Sequence, residues 1–414
     1  MRRSLDVFLG DIQAGRLSED EEGRVSFRIS EDYRRLPRRP VLSQSFEDDL
    51  AKVYRGRREE LPAFFANLVP EGPLRELIEK GLQIPPGDEM ALLEAVGGDL
   101  PGAVELRPGE GEPHDAGENG LDEDQAPLDA SAEGELLRFS LAGVQLKFSV
   151  LREGDKLVLP VKGRLGEWIV KFDSVRFPHL VENELAMLEW ARAAGFEVPE
   201  CHLESVAALS PPLRRHADPE GRVLVIRRYD REGDRRIHQE DFAQAVGLPP
   251  RLKYEQVTYD KLAKLVKAIA GPEAYFEFVR RLAFVVASGN ADAHLKNWSL
   301  LYPDGVEASL APLYDQVCTI VWPEVAPELS LKLAGLKSMK QVDERSFQRL
   351  AVVAGSDPAR TLAVVHESLE TISRAWHDSV APDIFPAEDV ALLREYWSSV
   401  PLLRRHSKPG SSRD

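Results

Sequence analysis

Cysteine is nearly missing from this chain, with only Cys201 and Cys318 present. They share no metal-ligand spacing, which excludes a cysteine-built metal centre and suits a reducing cytoplasm. Long apolar runs are missing too. No segment approaches the roughly twenty uninterrupted apolar residues of a membrane span, so no membrane residence is expected. The start, Met1-Arg2-Arg3-Ser4-Leu5-Asp6, runs straight into an alternating pattern with no apolar leader core. A secretory signal is therefore not expected. Positive charge is the third deficit. A formal net charge of −16 argues against autonomous binding to a nucleic-acid backbone, which needs a basic footprint. Contact with DNA would have to run through a basic partner.

The chain has 414 residues, too many for one ordinary core. Much of its acidity is concentrated in residues 109–136, which are rich in Gly, Asp, Glu, Ala and Pro. That composition predicts a solvated, flexible linker. Before it, Leu5, Val7 and Leu9 alternate with polar residues, as do Val25, Phe27 and Ile29, predicting two strands. Short helices are expected within Pro62 to Gly81 and Glu89 to Val96, so residues 1–108 read as an α+β subdomain. Residues 137–236 read as a smaller, strand-rich lobe. Its expected strands are Phe139 to Leu151, Lys156 to Val161, Glu167 to Phe172, Val198 to Val206 and Arg222 to Arg228. A helix over Leu180 to Ala194, ended by Gly195, interrupts them. Residues 237–403 read as mostly helical, with Thr258 a candidate N-cap and an apolar helix over Tyr275 to Ser288. Residues 404–414 form a basic tail.

That last helix delivers Gly289-Asn290-Ala291-Asp292-Ala293-His294-Leu295-Lys296-Asn297. Phosphoryl transfer to a hydroxyl needs a carboxylate to orient and deprotonate the nucleophile, and a neutral amide oxygen to hold magnesium. Asp292 and Asn297 offer both on one short loop. A strand over Trp298 to Tyr302 then leads to Pro312-Leu313-Tyr314-Asp315, where Asp315 is placed to bridge magnesium to phosphates. His294 is an orienting hydrogen-bond group, and Lys296 a candidate neutraliser of the transferring phosphate. Taken alone, the D-x-H-x-x-N pattern has a competing reading as a polar surface turn.

Upstream segments follow in kinase order. Ser140-Leu141-Ala142-Gly143-Val144-Gln145-Leu146-Lys147 has small residues whose backbone amides can cradle phosphate, although an ordinary β-turn reads the same way. Ala142, Gly143, Val144, Gln145 and Lys147 are its candidate ATP contacts. Lys171, inside the apolar run Trp168-Ile169-Val170-Lys171-Phe172, is the candidate phosphate lysine, unless it snorkels to solvent. Glu182 or Glu184 on the following helix could pair with it, with Glu184 preferred. The backbone around Arg227 and Tyr229 is expected at the adenine edge.

The order of these segments resembles the HipA family of serine/threonine kinase toxins from bacterial type II toxin–antitoxin modules. The resemblance spans nearly the whole chain. It includes Leu5–Gly10, Gly15-Arg16-Leu17, Phe64–Gly72, Gly97-Gly98-Asp99-Leu100-Pro101-Gly102-Ala103, His238-Gln239-Glu240-Asp241-Phe242, Lys253-Tyr254-Glu255 and Leu313-Tyr314-Asp315. It implies an α+β, bilobal protein-kinase-like fold with a small N-terminal α+β subdomain and a mostly helical C-terminal lobe. It implies ATP and Mg2+ as cofactors, Asp292 as base, Asn297 and Asp315 as magnesium ligands, and Lys171 on the ATP phosphates. Ser140 matches the serine that family members autophosphorylate, silencing themselves: a dianion beside the γ-phosphate site repels ATP. The expected partners are a helix-turn-helix, HipB-like antitoxin, DNA only through that antitoxin, and an aminoacyl-tRNA synthetase substrate such as glutamyl-tRNA synthetase. The family's hinge commonly reads Glu-Arg-Phe-Asp-Arg; here it is Arg227-Arg228-Tyr229-Asp230-Arg231. Two other functions compete: a pseudokinase scaffold that holds the antitoxin, and a small-molecule or lipid kinase, since phosphoinositide kinases share the D-x-H-x-x-N loop.

Overall fold

A computed structural model describes residues 3–56, 60–109, 145–160 and 164–404. Most of the acidic 109–136 segment and the basic tail lie outside the described residues. The chain forms two compact units. One comprises Met1–Phe172, Glu204–Pro250 and Leu301–Glu307; the other comprises Asp173–Leu203, Arg251–Leu300 and Ala308–Asp414.

The first unit opens with an antiparallel sheet. β1 (Arg3–Leu9) buries Leu5, Val7 and Leu9, and β3 (Val25–Ile29) buries Val25, Phe27 and Ile29, as their alternation predicts. Between them runs β2 (Ile12–Glu19), which apolar alternation does not announce because Gln13, Gly15, Arg16 and Ser18 interrupt it. Gly15 is what β2 needs: a Cβ there would sit 2.4 Å from the Arg28 carbonyl oxygen and against the Phe27 ring. With β4 (Val53–Arg55) and β5 (Val104–Pro108), the order is β4-β3-β2-β1-β5. Helices α1 (Gly72–Gly81) and α2 (Glu89–Val96) accompany the sheet. The core is aromatic: the Phe27 ring lies 4.8 Å from that of Phe65 and 5.3 Å from that of Phe46. Burying each such ring stabilises the fold by about 1.5–3 kcal/mol.

A second sheet in this unit contains β6 (Lys147–Glu153), β7 (Lys156–Val158), β8 (Trp168–Lys171) and the strand Arg222–Arg227. β6 and the strand Arg222–Arg227 flank β8, so Lys171 pairs with Lys147 on one side and Leu224 on the other. Phe148, Val150, Val170, Val223 and Val225 form its core.

The second unit is mostly helical. Its main helices are α3 (Leu180–Ala193), α4 (Tyr259–Ser288), α5 (Glu344–Val353), α6 (Pro358–Asp378) and α7 (Ala387–Ser399). Thr258 caps α4 by accepting from the Lys261 amide. Gly271 (φ +88°, ψ 178°) before Pro272 breaks α4 into two helical segments, the first capped by Thr258 and the second carrying the apolar run from Tyr275. Trp190 of α3 anchors the core, its ring 4.7 Å from Trp376 and 5.0 Å from Phe284, and its indole N–H donates to the Ile372 carbonyl at 2.8 Å. The fold is the expected α+β, kinase-like class. Among the described residues no helix is long and apolar enough to cross a membrane.

Candidate functional site

The site begins where α4 ends. Gly289 takes φ +65°, and a Cβ there would lie 2.6 Å from Ile320 Cγ1. Both facts call for glycine at the turn. Thr319 then straps the loop: its hydroxyl accepts from the Ala291 amide at 2.7 Å and donates to the Gly289 carbonyl at 3.1 Å. The Ala293 carbonyl accepts from the Tyr259 hydroxyl at 2.9 Å and the Trp298 indole at 3.2 Å. The loop is thereby held by buried groups on both sides of Asp292, while Asp292 itself is exposed. Its amide donates to Asn290 Oδ1 at 2.9 Å, and its Oδ1 accepts from the Tyr254 hydroxyl at 2.7 Å. His294 is buried, edge-on to the Tyr254 ring at 5.0 Å. Lys296 is half-buried, and its carbonyl accepts from the Tyr314 hydroxyl at 2.9 Å.

Asn297 and Asp315 meet at the end of this loop. Asn297 Nδ2 donates to Asp315 Oδ2 at 3.4 Å, and the buried Asn297 Oδ1 accepts no hydrogen bond among the described residues. A buried acceptor without a donor costs about 1–3 kcal/mol, so a cation there would relieve it. Asp315 holds a left-handed backbone, φ +50°, a conformation that Asp tolerates better than most residues but at some cost. A carboxylate and an amide oxygen are the hard donors that Mg2+ takes, the remainder coming from water and phosphate.

One connection here has no signal in the sequence. The Asn183 side chain of α3 accepts from the Cys318 amide at 2.8 Å and donates to the Cys318 carbonyl at 3.0 Å. That buried amide pair ties α3 to the segment following Asp315. Beside it on α3, Glu184 is buried whereas Glu182 is half-buried. Cys201 and Cys318 are free and buried, and burial pushes both thiols up.

The remaining predicted residues belong to the other unit. Lys171 is 4% exposed in β8, so its ammonium does not snorkel into solvent. Lys147 is half-buried, and Gln145 Nε2 donates to the Phe172 carbonyl at 2.9 Å. Ser140, Ala142, Gly143 and Val144 lie outside the described residues. Arg227 is exposed, and the Tyr229 hydroxyl donates to Gln239 Oε1.

The departure from the hinge run sits beside a buried network that the sequence reading did not identify. Arg228 clasps Asp230 with two hydrogen bonds of 2.9 Å and reaches Asp99 Oδ1 at 2.9 Å. Arg231 reaches the same Asp99 oxygen at 2.8 Å and Asp230 Oδ2 at 2.9 Å. Burial alone would raise the Asp230 carboxyl, but the two guanidiniums outweigh it and hold it down at about 2. Two arginines and two aspartates within a few residues of apolar strand ends were the available signal, because buried charges must pair. A second cluster lies nearby. Glu240 accepts from Ser43 Oγ at 2.6 Å, Tyr302 at 2.6 Å and the Gln44 amide at 3.0 Å. Burial nevertheless pushes its carboxyl up to about 7.

Comparison with known proteins bears on the family and the fold. The model of the HipA-like C-terminal domain matches residues 139–376, and that of the HipA N-terminal domain matches residues 5–107. A Sinorhizobium fredii protein named "Putative kinase Y4dM" is 36% identical over 378 residues, which is 90% of this chain and 91% of its own. The serine/threonine-protein kinase toxin HipA of Shewanella oneidensis is 25% identical over 367 residues, 80% of this chain and 78% of its own. A chain of the solved Shewanella oneidensis complex of HipA, HipB and operator DNA superposes with TM-score 0.72 at 21% identity, covering 97% of this chain and 96% of that one. That likeness shows a shared fold.

Proposed function

The chain belongs to the HipA family, and from that premise we propose that it is a Mg-ATP-dependent serine/threonine protein kinase, the toxin of a type II toxin–antitoxin module. The observation that carries the reading is the pairing of Asn297 and Asp315, with a buried amide oxygen lacking a donor, on the loop that presents Asp292. Asp292 is the base: it orients the acceptor hydroxyl and takes its proton. Asn297 and Asp315 hold magnesium, which when bound neutralises charge on the nucleotide phosphates. Lys171, buried in its strand, contacts those phosphates. His294 and Lys296 support the loop. Ala142, Gly143, Val144, Gln145 and Lys147 form the phosphate loop, and the Arg227–Tyr229 backbone meets adenine. Ser140 is the self-silencing phosphorylation site.

The substrate is a translation component, an aminoacyl-tRNA synthetase such as glutamyl-tRNA synthetase, and its phosphorylation in the cytoplasm arrests growth. A HipB-like, helix-turn-helix antitoxin neutralises the kinase and supplies the DNA contact that a chain of this acidity lacks. The test is transfer of label from γ-labelled Mg-ATP to purified glutamyl-tRNA synthetase, beside the Asp292→Asn variant. Label on the synthetase with the parent chain and not with the variant supports the reading. A parent chain that labels neither the synthetase nor itself contradicts it.

A further inference from the structure

We propose that Tyr254 is a positioning residue for the catalytic carboxylate. The inference rests on the reading of Asp292 as base. Tyr254 is 43% exposed, so burial does not explain its place. Its hydroxyl instead donates to Asp292 Oδ1 at 2.7 Å. The ring that carries this hydroxyl makes two contacts, a T-shaped one with His294 at 5.0 Å and one with the Lys253 ammonium 5.5 Å from the ring centroid. The main chain is pinned as well. The Leu295 amide donates to the Lys253 carbonyl at 3.3 Å, fastening the segment before Tyr254 to the loop that carries Asp292. Hydroxyl and carboxylate therefore share one frame.

The chemistry needs such a frame. In transfer, the acceptor oxygen forms a bond to the γ-phosphorus while the bond from that phosphorus to the β–γ bridging oxygen breaks. ADP leaves, and the acceptor's proton passes to Asp292. A carboxylate on a short side chain can rotate about its terminal bond. Fixing one oxygen fixes the bearing of the other, and a misplacement of about 1 Å can cost roughly a hundredfold in rate. Tyr254 keeps its own proton throughout and touches no reacting atom. His294 acquires a purpose in the same geometry: it supports the ring that supports the base.

The experiment is Tyr254→Phe in the full chain, which removes the hydroxyl and keeps the ring packing. Starting from dephosphorylated protein, the initial rate of phosphate incorporation into the chain is measured against Mg-ATP concentration, with the melting temperature in parallel. The expected result is a saturating rate lowered roughly ten- to hundredfold. The half-saturating ATP concentration and the melting temperature stay at parental values. A Phe variant that runs at the parental rate overturns the inference, since packing alone then suffices. A variant altered only in half-saturation, with its maximal rate intact, overturns it too. A parent chain that labels neither itself nor purified glutamyl-tRNA synthetase overturns the kinase reading itself, and the inference with it.

Discussion

Asp292 and Asn297 stand at opposite ends of one turn, and each is asked for different chemistry. Asp292→Asn keeps the size and loses the proposed proton acceptor. It is expected to reduce phosphoryl transfer at least about a hundredfold with an unchanged circular-dichroism melt. Asp315→Asn removes charge from the proposed metal pair. Calorimetry with Mg-ATP is expected to show roughly tenfold weaker binding, and little change when magnesium is chelated; equal affinity with magnesium present would count against the assignment. Glu240 gives a pH prediction. Its folded carboxyl titrates near 7, above its ordinary 4.5. The protonated form is thus favoured by folding, so this contribution is fully present below about pH 4.5 and is lost as pH rises through 7, about 3 kcal/mol in all. Urea unfolding should show Glu240→Gln with a flatter dependence over that window than the parent chain. At this scale the proposed site was legible as a candidate: Asp292, Asn297 and Asp315 stand out by type and spacing, and Asn297 and Asp315 do lie side by side. Tyr254 and Asn183 do not, because their contacts join positions whose nearness only the fold creates.

Among elements, the legible ones bury a regular stripe. β1 and β3 show clean alternation, and α2 runs over the expected Glu89–Val96 behind its Asp88 cap. β2 is hidden because its requirement at Gly15 is for the absence of a side chain, which hydrophobic patterning cannot register. The break of α4 at Gly271, by contrast, had a signal in the sequence, the Gly271-Pro272 dipeptide. The end of α4 can be tested. Gly289→Ala places a Cβ in a left-handed turn and against Ile320. It should destabilise the chain by about 1–2 kcal/mol, read as a lower denaturant midpoint, and slow phosphoryl transfer by displacing the catalytic loop. An unshifted midpoint would mean that the turn is not held as described.

For the molecule as a whole, the Asp99–Arg228–Asp230–Arg231 network joins the N-terminal sheet's neighbourhood to the end of the strand Arg222–Arg227. Removing one partner strands a buried charge. Asp99→Ala is expected to cost about 3–5 kcal/mol, measured by denaturant unfolding, whereas a loss under about 1 kcal/mol would show that the network is not required for stability. The division into an N-terminal sheet, a strand-rich region and a helical region follows from the shift in periodicity along the chain. Which segments share a compact unit does not, because that depends on contacts between distant stretches. The central claim is that this constellation transfers phosphate, and intact mass of the purified chain with and without Mg-ATP, beside Asp292→Asn, tests it most directly. The prediction is a phosphate-sized increment that maps to Ser140 and vanishes in the variant. No increment in the parent chain, starting from protein shown to be unphosphorylated, together with no phosphate on added glutamyl-tRNA synthetase, would contradict it.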